Sequence, residues 1–304
     1  MQILLLTISI VGLYFGAEFA LDASEKVGKR FGLPPLVIGL VLIGFGTSLP
    51  ELFVSQLASF RGQGGIALGN IIGSNVANSF LILGISSLIV PLSLASSELR
   101  PQFIFHFIVH LMIVIFFQFF GISPISSLFL ILFFVIYISF TLITQKHEDE
   151  DESETENLNF MVYAKLFLGF ALLYASGELL VSSGSELGGI IGISPFVISA
   201  IFVAFGTSFP ELVTAILACK KKKDTDLIVG NILGSNIFNI SLVLGSIGFY
   251  NIETESRFLY ESSILMFFCL ITFALFKFKK SLNRLTGLIF LSIYLGSVYY
   301  WLTK

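Results

Sequence analysis

Two glutamates, each with the same hydroxyl neighbours, recur in this chain at a nearly constant separation. Glu51 ends the run Gly46–Glu51 (GTSLPE), and Glu211 ends Gly206–Glu211 (GTSFPE). The segments around them, Val37–Phe53 and Val197–Val213, share 9 of 17 residues at an offset of 160. A second pair, Leu68–Gly84 and Val229–Gly245, shares 10 of 17 at an offset of 161. Both glutamates lie deep in apolar stretches long enough to cross a bilayer. A carboxylate there costs about 2.5–3.5 kcal/mol on insertion scales, so its expected use is an ion or proton site. Duplicated membrane units with a matched polar motif in each half are the sequence sign of a secondary transporter.

On a helix, Thr47 and Ser48 stand four and three positions before Glu51 and share its face. Thr207 and Ser208 stand in the same relation to Glu211. Pro50 donates no N–H, which leaves the Gly46 carbonyl without a helical partner, and Pro210 does the same to Gly206. The expected product is a cluster of a carboxylate, two hydroxyls and a spare carbonyl, given twice. The second motif, Gly69–Asn78 (GNIIGSNVAN), puts Asn70, Ser74 and Asn78 at i, i+4 and i+8, one polar stripe on an apolar helix. Asn231, Ser235 and Asn239 repeat that stripe. Its glycines allow neighbouring helices to approach closely. Carboxylate, hydroxyl and amide oxygens suit Na⁺ and Ca²⁺, and neither motif has the His or Cys that would favour Zn²⁺ or Cu. Asn70, Asn75, Asn231 and Asn236 suit helix-to-helix hydrogen bonding equally well. Glu51 and Glu211 have no such alternative, because no buried Lys or Arg stands by to pair with them.

The elements that must hold these residues follow from composition. The chain is 55% hydrophobic and 12% charged, against about 25% charged in ordinary soluble domains. Apolar runs of spanning length occupy residues 2–22, 34–59, 66–90, 101–120 and 124–144, then 160–181, 194–219, 227–249, 258–276 and 284–302. The fold class is therefore all-α integral membrane, with ten transmembrane helices in two five-helix repeats, 1–145 and 160–304. Five spans is an odd number, so the second repeat enters from the opposite side and the two are inverted. With both termini outside, 14 of the 17 Lys and Arg fall on inner loops, leaving Arg61, Arg257 and Lys304 outside, as the positive-inside bias requires. Residues 146–159 form an acidic cytosolic linker. Seven of the nine residues of its Glu148–Glu156 stretch are Asp or Glu, a composition that stays solvated.

The N-terminal run has neither a basic leader region nor a convincing cleavage site. Leu13, Tyr14 and Glu18 recur as Leu173, Tyr174 and Glu178, so it reads as the first helix of the repeat. Glu18 and Glu178 are expected to snorkel to the interface. His106 and His110 share a face of the fourth span and read as core or interfacial residues. Cys219 and Cys269 read as small packing residues with no disulfide, and Lys220–Lys223 as a positive anchor.

GTSLPE with GNIIGSNVAN, and GTSFPE with GNILGSNIFN, resemble the two α-repeats of the sodium/calcium exchanger family, within the cation/Ca²⁺ exchanger superfamily. The resemblance covers the whole chain, and the short linker looks like that of a compact prokaryotic-type member. It implies an ion cavity lined by Thr47, Ser48, Glu51, Ser74 and Asn78 from one half and Thr207, Ser208, Glu211, Ser235 and Asn239 from the other. Backbone carbonyls near Gly44 and Ala204 would add ligands, and the first and sixth helices would slide across this core to alternate access. Amides at both Asn78 and Asn239 leave two formal negative charges, which argues against K⁺ co-transport. The expected function is antiport of Na⁺ for Ca²⁺ across the cell membrane, with electrogenic Ca²⁺ extrusion. A Ca²⁺/H⁺ antiporter on the same scaffold is the first rival, and a cation channel the second. No nucleophile–base pair or nucleotide loop points to an enzyme. The expected partners are Ca²⁺, Na⁺ and the lipid bilayer, with no cofactor, nucleic acid or obligate protein partner.

Overall fold

Each of the eleven described helices in this computed structural model begins or ends within a few residues of an apolar run in the sequence. The structure describes residues 1–30, 47–94, 99–144, 159–220, 225–250, 252, 258–278 and 280–303. In the first half the helices are Gln2–Arg30 (α1), Leu49–Phe60 (α2), Gly64–Ile89 (α3), Leu99–Phe120 (α4) and Pro124–Thr144 (α5). In the second they are Phe160–Ile191 (α6), Pro195–Thr207 (α7), Phe209–Lys220 (α8) and Thr225–Ile247 (α9), then Leu259–Lys277 (α10) and Arg284–Thr303 (α11). Eight of them are long and apolar enough to cross a membrane, and the bent pair α7–α8 makes a ninth span. The expected span 34–59 lies partly outside the described residues, and α2 is its described part. The acidic linker and Gly44 lie outside them too.

Two helices sit at the centre. In α3 and in the apolar part of α9, Ile228–Ile247, 83% and 78% of the spanning window is buried, against 28–39% for the other six. These two carry the Asn/Ser stripes. The remaining helices turn large apolar side chains outward, such as Ile3, Phe129, Phe167 and Leu295, as contact with lipid tails rather than water allows. Each central helix also contains one wide turn, Ala77–Ile82 in α3 and Asn239–Leu244 in α9, where the ladder slips to i→i+5. Such π turns recur at functional sites. Here they start one residue before Asn78 and at Asn239 itself, a feature that the i, i+4, i+8 stripe did not anticipate.

α1 and α6 correct the expected boundaries. They have 29 and 32 residues, roughly 45 Å at 1.5 Å per residue, which a hydrocarbon core of about 30 Å accommodates by tilt. Asp22 and Lys26 end the apolar run of α1 without ending its helix. They pair with each other at 3.5 Å, and Lys165 of α6 donates to Asp22 at 2.8 Å. The two long helices lie side by side. Gly16 and Gly169 permit this approach: a Cβ on Gly169 would sit 2.6 Å from the Ala20 backbone nitrogen.

Gly73 performs the same service at the centre. α3 runs along α7 so closely that a Cβ on Gly73 would lie 2.5 Å from the Ala200 carbonyl oxygen. Gly73→Ala is therefore expected to lower the thermal unfolding midpoint in detergent, by a destabilisation of about 1–3 kcal/mol for overpacking. A midpoint equal to that of the parent protein would mean that the two backbones are not in contact. A short antiparallel pairing, Leu92 with Leu282 and Ser93 with Ser281, ties the α3–α4 connection to the α10–α11 connection.

Candidate ion-binding site

The polar core is built where two helices start. α2 and α8 are preceded by Ser48 (φ −91°, ψ 7°) and Ser208 (φ −83°, ψ 8°), nearly identical conformations at equivalent positions. In the second half, α7 bends by 44° into α8 at this point. Pro50 and Pro210 follow two residues later, where a missing N–H costs a helix start nothing. Glu51 and Glu211 consequently fall in the first turns of α2 and α8, where the exposed N–H groups favour negative charge.

The two halves exchange hydrogen bonds. Ser208 donates its hydroxyl to Glu51 Oε1 at 3.0 Å, and Ser48 donates to Glu211 Oε1 at 3.3 Å. Each glutamate is thus oriented by the serine of the other repeat, a relation the sequence did not disclose. Thr207 and Ser74 also face Glu51, and Thr47 faces Glu211. All ten side chains expected to line the cavity are buried, with exposures of 0–5%.

Asn70 holds the arrangement from behind. Its amide donates to the Glu51 backbone carbonyl at 3.3 Å and to Ser55 Oγ at 3.0 Å, and its Oδ1 accepts from Thr207 at 3.0 Å. The Thr207 hydroxyl also lies 3.3 Å from the Ser74 hydroxyl. Asn75 Nδ2 donates to the Ile71 carbonyl of its own helix at 2.8 Å, and its Oδ1 has no partner among the described residues. Asn236 accepts from Asn78 at 3.1 Å and donates to Ser79 at 2.9 Å. For Asn70 and Asn236, the helix-joining use is the one observed; Asn75 bonds within its own helix. The Ala204 carbonyl accepts from the Ser208 N–H and the Thr207 hydroxyl, so in this conformation it holds the hydroxyl of a neighbouring lining residue.

A set of buried oxygens is left over. Thr47 Oγ1, Glu51 Oε2, Asn78 Oδ1, Glu211 Oε2, Ser235 Oγ and Asn239 Oδ1 have no hydrogen-bond partner among the described residues. A buried unsatisfied polar group costs about 1–3 kcal/mol, more when charged. Six oxygens, two of them carboxylate, match the six to eight that Ca²⁺ takes at 2.3–2.6 Å. The donor set is hard and carries two formal negative charges.

Two minor readings gain detail. Glu178 pairs with Arg61 at the end of α2 while Glu18 is exposed, so the matched glutamates have different surroundings. Cys269 is more than a packing residue, because its sulfur lies 3.1 Å from His106 Nδ1.

Known proteins resemble this chain over nearly its whole length. The sodium/calcium exchanger protein family model matches residues 1–143 and 161–303. An uncharacterized membrane protein of Methanocaldococcus jannaschii, MJ0091, is 31% identical over 96% of this chain and 95% of its own length. The sodium/calcium exchanger MaX1 of Methanosarcina acetivorans is 26% identical over 96% of both. Among solved structures, the sodium-calcium exchanger NCX_Mj, soaked with Na⁺ and Sr²⁺, superposes with a TM-score of 0.69 at 27% identity, covering 98% of this chain and 97% of that one. MaX1 and NCX_Mj are ion exchangers rather than enzymes. This chain is a multi-pass membrane protein that belongs to the sodium/calcium exchanger family, as a compact member of prokaryotic type.

Proposed function

We propose that this protein exchanges Na⁺ for Ca²⁺ by alternating access, with Glu51 and Glu211 as the shared charge of one central site. The observation that carries the reading is the set of six unpartnered buried oxygens, two of them from the carboxylates that the serines of opposite repeats bond. One Ca²⁺ neutralises both carboxylates. Na⁺ ions use the same oxygens in its place, with Thr47, Ser48, Ser74, Thr207, Ser208, Ser235, Asn78 and Asn239 supplying neutral ligands. Na⁺ entering down its gradient expels Ca²⁺ from the cytoplasm. If more than two Na⁺ exchange for each Ca²⁺, net charge moves and the rate responds to voltage, at about 2.3 kcal/mol per charge per 100 mV.

Ten helices in two inverted repeats, 1–145 and 160–304 around a linker at 146–159, are part of the same proposal. The matched conformations of Ser48 and Ser208 and the matched wide turns of α3 and α9 support it. Both termini lie outside, as the sorting of Lys and Arg favours. A cysteine replacing Ser153, in a background with Cys219 and Cys269 changed to Ala, should react with impermeant thiol reagents from the cytoplasmic side alone. Labelling from outside intact cells would reverse the orientation.

Competition at the site is the direct test of shared ligands. Na⁺ should weaken Ca²⁺ binding to the purified protein with an apparent order above one, because several Na⁺ replace one Ca²⁺. Ca²⁺ binding that stays constant as Na⁺ rises would remove Na⁺ from the site.

A further inference from the structure

Outside the oxygen cavity, three softer donors converge. His106 and His110 on α4 and Cys269 on α10 are buried, at 1%, 0% and 2% exposure. One donor atom from each falls within 4.8 Å of the others. Bond lengths near 2.0 Å to nitrogen and 2.3 Å to sulfur put the donors of a tetrahedral Zn²⁺ site about 3.5 Å apart. His110 is already set up as a ligand: its Nδ1 lies 2.8 Å from the His106 carbonyl, so that nitrogen carries the proton. Its Nε2 then presents a lone pair, and it has no partner among the described residues. Metal-bound histidines are fixed in this same way, by giving the other N–H to a carbonyl.

We propose that His106, His110 and Cys269 form a second metal site, for Zn²⁺ or a like thiophilic cation, and that its occupancy disables the Ca²⁺ cavity. Imidazole and thiolate select such metals over Na⁺ and Ca²⁺, and three protein ligands leave one position open. Binding replaces the Cys269 S–H bond with an S–metal bond and releases one proton.

The link to the cavity runs through two amides. His106 Nε2 lies 3.4 Å from Asn236 Nδ2, an amide donor, so Nε2 is the acceptor and Nδ1 holds the proton, facing the Cys269 sulfur. A metal on Nδ1 moves that proton to Nε2. Nε2–H then faces an NH₂ group, and Asn236 must turn over to offer Oδ1. Asn236 Oδ1 now accepts from Asn78 Nδ2 at 3.1 Å. After the turn Asn236 offers NH₂ there, so Asn78 turns as well and presents NH₂ where Oδ1 had been available to a cation. The cavity would lose a ligand and gain a donor that repels Ca²⁺.

The test uses the purified full-length protein in detergent. Cd²⁺ titration should give thiolate-to-metal charge-transfer absorption saturating at one ion per chain, retained in Cys219→Ala and lost in Cys269→Ala. Ca²⁺ affinity should fall at least tenfold when one equivalent of Zn²⁺ is added, and His110→Ala and Cys269→Ala should each remove most of that fall. No charge-transfer band in the parent protein, or a band that survives Cys269→Ala, would overturn the site. Zn²⁺ inhibition that persists in Cys269→Ala, or a filled site with unchanged Ca²⁺ affinity, would overturn the amide coupling. The absorption arm is independent of the exchange reaction, so its failure is distinguishable from a failure of the exchanger reading.

Discussion

Glu51→Gln or Glu211→Gln should each abolish Ca²⁺ transport while leaving a folded, membrane-inserted protein. Either change removes half of the formal charge available to Ca²⁺ in a site closed to water. Removing one partner of a buried charge pair costs about 3–5 kcal/mol, which is roughly a 100-fold loss of affinity or more at 1.4 kcal/mol per decade. The fold should survive because the glutamine Oε1 still accepts the hydroxyl from Ser208 or Ser48. The measurements are Ca²⁺ flux in vesicles, together with a monodisperse elution profile in detergent. Flux near that of the parent protein in either variant would sink the two-carboxylate site.

Ser208→Ala should resemble a weakened Glu51, and Ser48→Ala a weakened Glu211, although each serine lies beside the opposite glutamate in sequence. A hydrogen bond to a charged group is worth about 1.5–3 kcal/mol, so each change should weaken Ca²⁺ binding by roughly 10- to 100-fold. A double-mutant cycle separates this from a merely local effect. Ser208→Ala and Glu51→Gln should couple strongly, because the serine acts through that carboxylate. Additive losses for this pair, with strong coupling between Ser208 and Glu211 instead, would mean that the bonds do not cross between repeats.

The chemistry of the site was legible because residue type and spacing carry it: a carboxylate, two hydroxyls and a proline, given twice in an apolar chain. The helices were legible because apolar runs mark them, and α3, α4, α5, α10 and α11 end within about two residues of those runs. The ends of α1 and α6 were not: α1 continues past its apolar run, where Asp22 pairs with Lys26 and with Lys165 of α6, and α6 runs on to Ile191. The crossed Ser–Glu bonds join residues 157 and 163 positions apart. They depend on how two helix starts meet, which no local pattern records. The wide turns at Ala77–Ile82 and Asn239–Leu244 are too short to disturb a hydrophobic period, yet they set where Asn78 and Asn239 point. His106 and Cys269 likewise looked inert because their partnership exists only across α4 and α10.

Na⁺ coupling is tested most directly by Ca²⁺ uptake into proteoliposomes holding the purified protein, with Na⁺ and pH gradients imposed separately. An outward Na⁺ gradient at equal pH should drive Ca²⁺ accumulation, and a pH gradient without Na⁺ should not. Uptake indifferent to Na⁺ and driven by the pH gradient alone would contradict Na⁺ exchange at Glu51 and Glu211 and make the protein a Ca²⁺/H⁺ antiporter.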